Sequence, residues 1–222
     1  MDREALPLDE RKVAPASRGG AKLEAALHGF EIDPSGRRCL DAGAGAGGFT
    51  EVLVTRGAAH VIAVDVGRGQ LVWRLRTDPR VTLLERTNVR RLSAESLPYR
   101  PDLITADLSF ISLSKVLSVL AAVSAHERSD FILLVKPQFE AERRQVQRGG
   151  VVTDPDVWRR VLERVAAACR DAGISPRGVM ASPLKGPAGN VEFLLHGVLG
   201  GPDMPLDVGA AIGEGSAMRA GG

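Results

Sequence analysis

Leu40-Asp41-Ala42-Gly43-Ala44-Gly45-Ala46-Gly47-Gly48-Phe49-Thr50 decides the fold of this 222-residue chain. The stretch closes a short β-like run at 38–42 and opens a helix-like one at 48–56. Glycines at such a junction let the backbone turn sharply and approach a ligand with no Cβ in the way. Gly43, Gly45 and Gly48 satisfy G-x-G-x-x-G, a spacing that suits a nicotinamide dinucleotide as well as S-adenosylmethionine. Asp65 ends the next strand-like run, where a carboxylate can accept hydrogen bonds from both ribose hydroxyls of either cofactor. Two features favour S-adenosylmethionine. Asp41, just before the loop, can face the amino-acid end of that cofactor and would repel a pyrophosphate. Asn88, in Glu85-Arg86-Thr87-Asn88 after the third strand, is placed to reach an adenine edge.

Outward from the loop, strand-like runs at 38–42, 60–65, 81–85, 102–106 and 131–135 alternate with helix-like stretches at 48–56, 70–76 and 113–124. That alternation predicts βαβ units and a parallel sheet covered on both faces. Near residue 153 the pattern changes. Thr153 or Asp154 can cap a helix with Pro155 in its first turn, and Val157, Val161, Val165 and Cys169 then share one face. Two β-like runs, 174–180 and 191–199, follow Gly173 and are joined by a loop rich in proline and glycine. They predict an antiparallel pair at the sheet edge, whereas a dinucleotide dehydrogenase usually continues with parallel units. The fold expected is a Rossmann-like α/β sheet, mostly parallel, ending in an antiparallel hairpin. Residues 1–16 read as an extended arm, 17–199 as one catalytic domain and 200–222 as a flexible tail.

Composition narrows the function further. A net charge of +2 permits a nucleic-acid partner without demanding one. Cys39 and Cys169 have no metal-ligand spacing and read as buried thiols in a reducing cytosol. His28, His60, His126 and His196 form no ligand cluster, so no metal is expected. The longest apolar runs are short, such as 131–135, too short for a membrane span, and the N-terminus carries no signal-peptide pattern, so the protein is expected in the cytoplasm. Only five of the 29 basic residues are lysines.

Several further segments carry a resemblance. They are Ser17-Arg18-Gly19-Gly20-Ala21-Lys22-Leu23, Val64-Asp65-Val66-Gly67 and Ala106-Asp107-Leu108-Ser109-Phe110-Ile111-Ser112-Leu113. Leu134-Val135-Lys136-Pro137-Gln138-Phe139-Glu140, Gly149-Gly150-Val151-Val152 and Gly189-Asn190-Val191-Glu192-Phe193 complete the set. In this order and spacing, from about residue 17 to 199, the chain resembles the TlyA (hemolysin A) family of ribosomal RNA 2′-O-methyltransferases, whose catalytic domain is FtsJ-like.

The resemblance implies a Lys-Asp-Lys-Glu tetrad, here Lys22, Asp107, Lys136 and Glu192. It also implies S-adenosylmethionine held by Asp41, Gly43, Ala44, Gly45, Gly48, Phe49, Thr50, Asp65, Val66, Asn88, Asp107 and Leu108. In the roles implied, Lys136 takes the proton of a ribose 2′-hydroxyl, with Lys22 steadying the oxygen and easing proton loss. Asp107 positions Lys136, and Glu192 orients both lysines. Arginine could not give up a proton, and two of the five lysines fall on tetrad positions in a chain that otherwise prefers arginine.

Departures from the family pattern leave alternatives. Family members usually carry an S4-type RNA-binding domain ahead of the catalytic one, where this sequence reads as a polar arm. They also tend to have serine and threonine at the positions of Gly45 and Ala46, and a tyrosine at that of Arg68. The partner expected is ribosomal RNA or a ribosomal subunit. A small-molecule acceptor is the alternative substrate, and a cofactor-binding module without methyl transfer is the non-enzyme alternative. Arg143, Arg144 and Arg148, in a loop ending at Gly149-Gly150, suit phosphate contact or plain solvation equally. Arg90 and Arg91 read as solvated, and Trp73 and Trp158 as packing residues rather than base-stacking platforms; Phe110 could stack on a substrate base but reads first as buried.

Overall fold

A computed structural model describes residues 14–125, 128–202 and 204–220. Seven strands form one sheet in the order β3-β2-β1-β4-β5-β7-β6. β1 (Arg38–Ala42), β2 (His60–Val64), β3 (Val81–Leu84), β4 (Leu103–Ala106) and β5 (Asp130–Val135) run parallel. β7 (Phe193–Leu199) lies antiparallel between β5 and β6 (Ile174–Ala181). The expected mixed sheet with its antiparallel end is therefore present. β4 is buried along its whole length and β5 from Phe131 onward, as strands covered on both faces must be.

Side-chain alternation splits the core between the two faces. Leu40, Ile62, Ile104 and Leu133 pack beneath α4 (Leu117–Val123) and α6 (Pro155–Asp171). Cys39, Val61, Leu103 and Ile132 pack beneath α1 (Gly19–Gly29) and α2 (Gly48–Thr55). Asp154 is the cap of α6, accepting from Asp156 N–H at 2.9 Å, and Pro155 occupies the first helical position. The amino ends of the strands are tied together by polar groups. Arg37 donates to Asp130 at 2.6 Å and to Asp102 at 3.0 Å, while His196 Nε2 lies 2.7 Å from Asp130.

Three expectations change. The tail is not loose throughout, because 208–220 forms α7 (Val208–Ala220) against α6 and β6. Ile212 is the one large residue among those it buries, beside Ala211 and Gly215, so no apolar stripe announces it. Trp73, in α3 (Trp73–Arg76), is 76% exposed, and Phe110 is 91% exposed, so neither is a packing residue. Trp158 is one: it is buried edge-on to Phe193 and donates to Val152 O at 3.0 Å. Residues 1–13 of the expected arm and His126 lie outside the described residues.

Candidate active site

β1 pairs with β2 on one side and β4 on the other, so the strand order reverses at β1. Open α/β sheets bind ligands at such a switch point, beyond the carboxyl ends of the strands. A cleft of about 580 Å³ opens there, within the size range of small-molecule sites. Gly43, Ala44, Gly45, Asp65, Val66, Asn88, Asp107 and Leu108 all line it. Gly43 adopts φ +87°, and a Cβ on it would lie 2.4 Å from the Asp107 carbonyl oxygen, so only glycine lets the loop pass the end of β4. Gly48 serves a different contact: a Cβ there would meet Ser17 Oγ at 2.1 Å and Gly20 N at 2.9 Å, where α1 crosses α2.

Asp65 bridges two turns, accepting from Gly45 N–H at 2.8 Å and Gly67 N–H at 2.6 Å. A carboxylate has about four lone-pair sites, which leaves it acceptor capacity towards a ligand. Asn88 spends its carbonyl on Arg90 N–H at 3.0 Å and keeps its amide donors for an adenine edge. A glycine cradle, a carboxylate and an amide along one cleft fit an adenosine-bearing cofactor.

Asp41, Gly48, Phe49 and Thr50 stand apart from that lining. Asp41 is wholly buried beneath the loop, accepting from Thr50 Oγ1 at 2.7 Å and Thr105 Oγ1 at 3.1 Å. Burial pushes its carboxyl up to about 6, against the pull of the two threonines and with help from the charge of Asp107. Its place is in fastening α2 to β1 and β4, rather than in facing a ligand.

The four tetrad positions form two ion pairs. Lys136 follows β5, and its Nζ lies 2.6 Å from Asp107 Oδ1 and donates to Ser109 Oγ at 2.9 Å. Lys136 and Asp107 both line the cleft. Lys22, on α1, donates to Glu192, which immediately precedes β7, and both side chains are buried. The start of α1 approaches the first pair: a Cβ on Gly19, one turn before Lys22, would lie 3.8 Å from Asp107 Oδ2. Lys22 and Glu192 are not among the residues lining the cleft. Among the described residues Glu192 pairs with Lys22 and Asp107 with Lys136, so the contact expected of Glu192 is made to one of the two lysines.

Two residues beside the cleft went unassigned or misread in the sequence. Ser109 lines it and holds Lys136, yet a serine two places past an aspartate carries no signal by itself. Phe110 sits at the cleft with φ +63°, a conformation costly for a bulky side chain, and its ring lies 5.0 Å from that of Phe139. Across the site, Asn190 accepts from Val152 N–H at 2.9 Å and donates to Gly150 O at 2.8 Å. It thereby fastens the loop carrying Arg143, Arg144 and Arg148 to the segment that bears Glu192.

Residues 15–198 match the FtsJ-like methyltransferase family. The 16S/23S rRNA (cytidine-2′-O)-methyltransferase TlyA of Mycobacterium tuberculosis is 56% identical over 179 residues, 81% of this chain and 66% of that protein. The chain thus spans somewhat under two thirds of that relative's length. A crystal structure of a candidate hemolysin from Lactococcus lactis superposes with a TM-score of 0.87 at 39% identity, covering 90% of this chain and 97% of the other. An S-adenosylmethionine-dependent methyltransferase from Mesorhizobium loti shares the fold alone, with a TM-score of 0.58 at 15% identity over 81% of this chain and 99% of its own. With its glycine cradle at the strand-order switch and the Lys136–Asp107 pair lining the same cleft, the chain belongs to the FtsJ-like methyltransferase family.

Proposed function

We propose that the protein transfers a methyl group from S-adenosylmethionine to a ribose 2′-hydroxyl of ribosomal RNA. The observation that carries this reading is Lys136, held at the cleft by Asp107 and Ser109. When bound, S-adenosylmethionine supplies an electrophilic methyl group. The glycine loop, Asp65 and Asn88 would hold its adenosine end, and Asp107 and Leu108 line the same cleft.

A ribose hydroxyl is a poor nucleophile and needs a base within hydrogen-bond reach. Lys136, once it has released a proton to solvent, takes the hydroxyl proton at Nζ, with Asp107 and Ser109 accepting its remaining N–H bonds and so fixing where its lone pair points. Lys22 contributes positive charge near the oxygen as charge develops there, and Glu192 fixes Lys22. Phe110 offers an exposed ring beside the cleft on which a nucleobase of the substrate stacks. The TlyA relative named for rRNA cytidine-2′-O-methylation supports RNA as the acceptor.

The test is label transfer from tritiated S-adenosylmethionine to ribosomal subunits, free ribosomal RNA and a small-molecule extract. Label is expected in RNA for the wild type, and to fall at least about 100-fold in both Lys136→Ala and Lys136→Arg. Near-normal transfer by either variant removes the role given to Lys136. Label found only in the extract overturns the RNA reading.

A further inference from the structure

We propose that Glu140 is a positioning residue for methyl transfer, fixing the 107–113 loop so that Asp107 and Ser109 stay on Lys136. This rests on the 2′-O-methyl transfer reading above.

The loop has one firm end and one that needs an anchor. Its near end continues from β4 and is fixed by Asp107 N–H donating to Ala42 O at 2.9 Å. Between Asp107 and Ser112 there is no regular structure, and Phe110 holds a left-handed backbone. Such a segment opens readily unless surrounding contacts over-determine it. Its far end is a single 3₁₀ turn, Leu113–Lys115, whose first N–H groups need acceptors.

Glu140 supplies one of them. One carboxylate oxygen accepts from Leu113 N–H at 2.7 Å and the other from Ser112 Oγ at 2.6 Å. Glu140 is buried, and burial pushes its carboxyl above the ordinary range against the pull of these two donors and of Arg164. A carboxylate placed at that cost and matched by two donors is a specific tie.

The tie returns to the lysine it serves. Glu140 closes α5 (Pro137–Glu140), only four residues past Lys136, and Arg164 on α6 donates to its carbonyl at 3.1 Å. The same two segments meet at Lys136–Asp107, at Lys136–Ser109 and at Phe139–Phe110. Along the loop Glu140 makes the last of these contacts, at Ser112 and Leu113, and so holds the end that β4 does not. A lysine amine rides on four rotatable carbons, and only its partners set its direction. A shift of about 1 Å in such a group can cost on the order of 100-fold in rate.

A double-mutant cycle on kcat, with ribosomal subunits and tritiated S-adenosylmethionine, tests the proposal. Glu140→Ala is expected to lower kcat roughly 10- to 100-fold. Glu140→Gln should recover most of that loss, since its amide can accept from Leu113 and donate to Ser112. Ser109→Ala should lower kcat in the wild type but add little on top of Glu140→Ala, because both act by positioning Lys136. Wild-type kcat in Glu140→Ala, or losses that multiply fully in the double variant, overturn the proposal. If Glu140→Ala gives no cooperative melt, Ser112→Ala takes its place in the cycle, with the same expected non-additivity and the same overturning result. A wild type that leaves RNA unlabelled defeats the transfer reading itself and this proposal with it. An active wild type with fully multiplying losses defeats only the role of Glu140.

Discussion

Asp41 shows how far a single residue's position can depart from its motif. The sequence put this carboxylate against a ligand; the fold seals it under the glycine loop between Thr50 and Thr105. Its proton affinity then becomes a stability term. The folded carboxyl titrates near 6, against an ordinary value of 3.8. Its contribution is therefore fully present below about pH 4 and is lost as pH rises through 6, costing about 3 kcal/mol above that. Asp41→Asn keeps the shape and carries no charge. Its melting temperature relative to the wild type should climb between pH 4 and 7, and a pH-independent difference would refute the assignment. Residue types with a chemical reason to sit at strand ends, Asp107 and Lys136, were legible in the sequence. Phe110 and Trp73 were not, because an aromatic side chain looks the same in sequence whether it packs or stands in solvent.

Elements were legible in proportion to how strongly their burial is written in large apolar residues. The parallel strands, with their β-branched and leucine runs, sit within a residue or two of their expected bounds. α6 announces itself by Asp154, Pro155 and a valine stripe. α7 buries one large apolar residue, Ile212, with Ala211 and Gly215, and reads as tail, although Asp207 caps its start by accepting from Ala210 N–H at 2.8 Å. Its docking depends on close approach: a Cβ on Gly215 would meet Val191 Cγ1 at 2.9 Å and the Phe193 ring at 3.4 Å. Gly215→Leu should cost about 1–3 kcal/mol through overpacking. Gly213 has nothing within 4 Å of an added Cβ, and Gly213→Ala should leave stability unchanged or raise it by up to about 1 kcal/mol. Thermal melts of the two variants decide the matter, and equal effects would mean that α7 does not dock on that side.

At the scale of the molecule, the cleft is a junction of distant chain segments: β1 and its loop, the ends of β2 and β4, and the residue after β5. Strand order brings them together, and the alternation of elements implied that order only as a class of fold. Which backbone passes which is set at one point, where Gly43 crosses the Asp107 carbonyl. A ligand seated there touches segments on both sides of the switch, so its binding should stabilise the whole sheet rather than one loop. At about 100 times its dissociation constant, S-adenosylhomocysteine should add ~2.7 kcal/mol. For a domain of this size that is a rise of roughly 5–10 °C in melting temperature. Gly43→Ala must displace either the loop or the end of β4, and φ +87° is strained for alanine in any case. The variant should melt lower than the wild type and gain little from the same ligand concentration. A full ligand-induced rise in Gly43→Ala would show that the cofactor does not use this crossing, and would move its site away from the switch point.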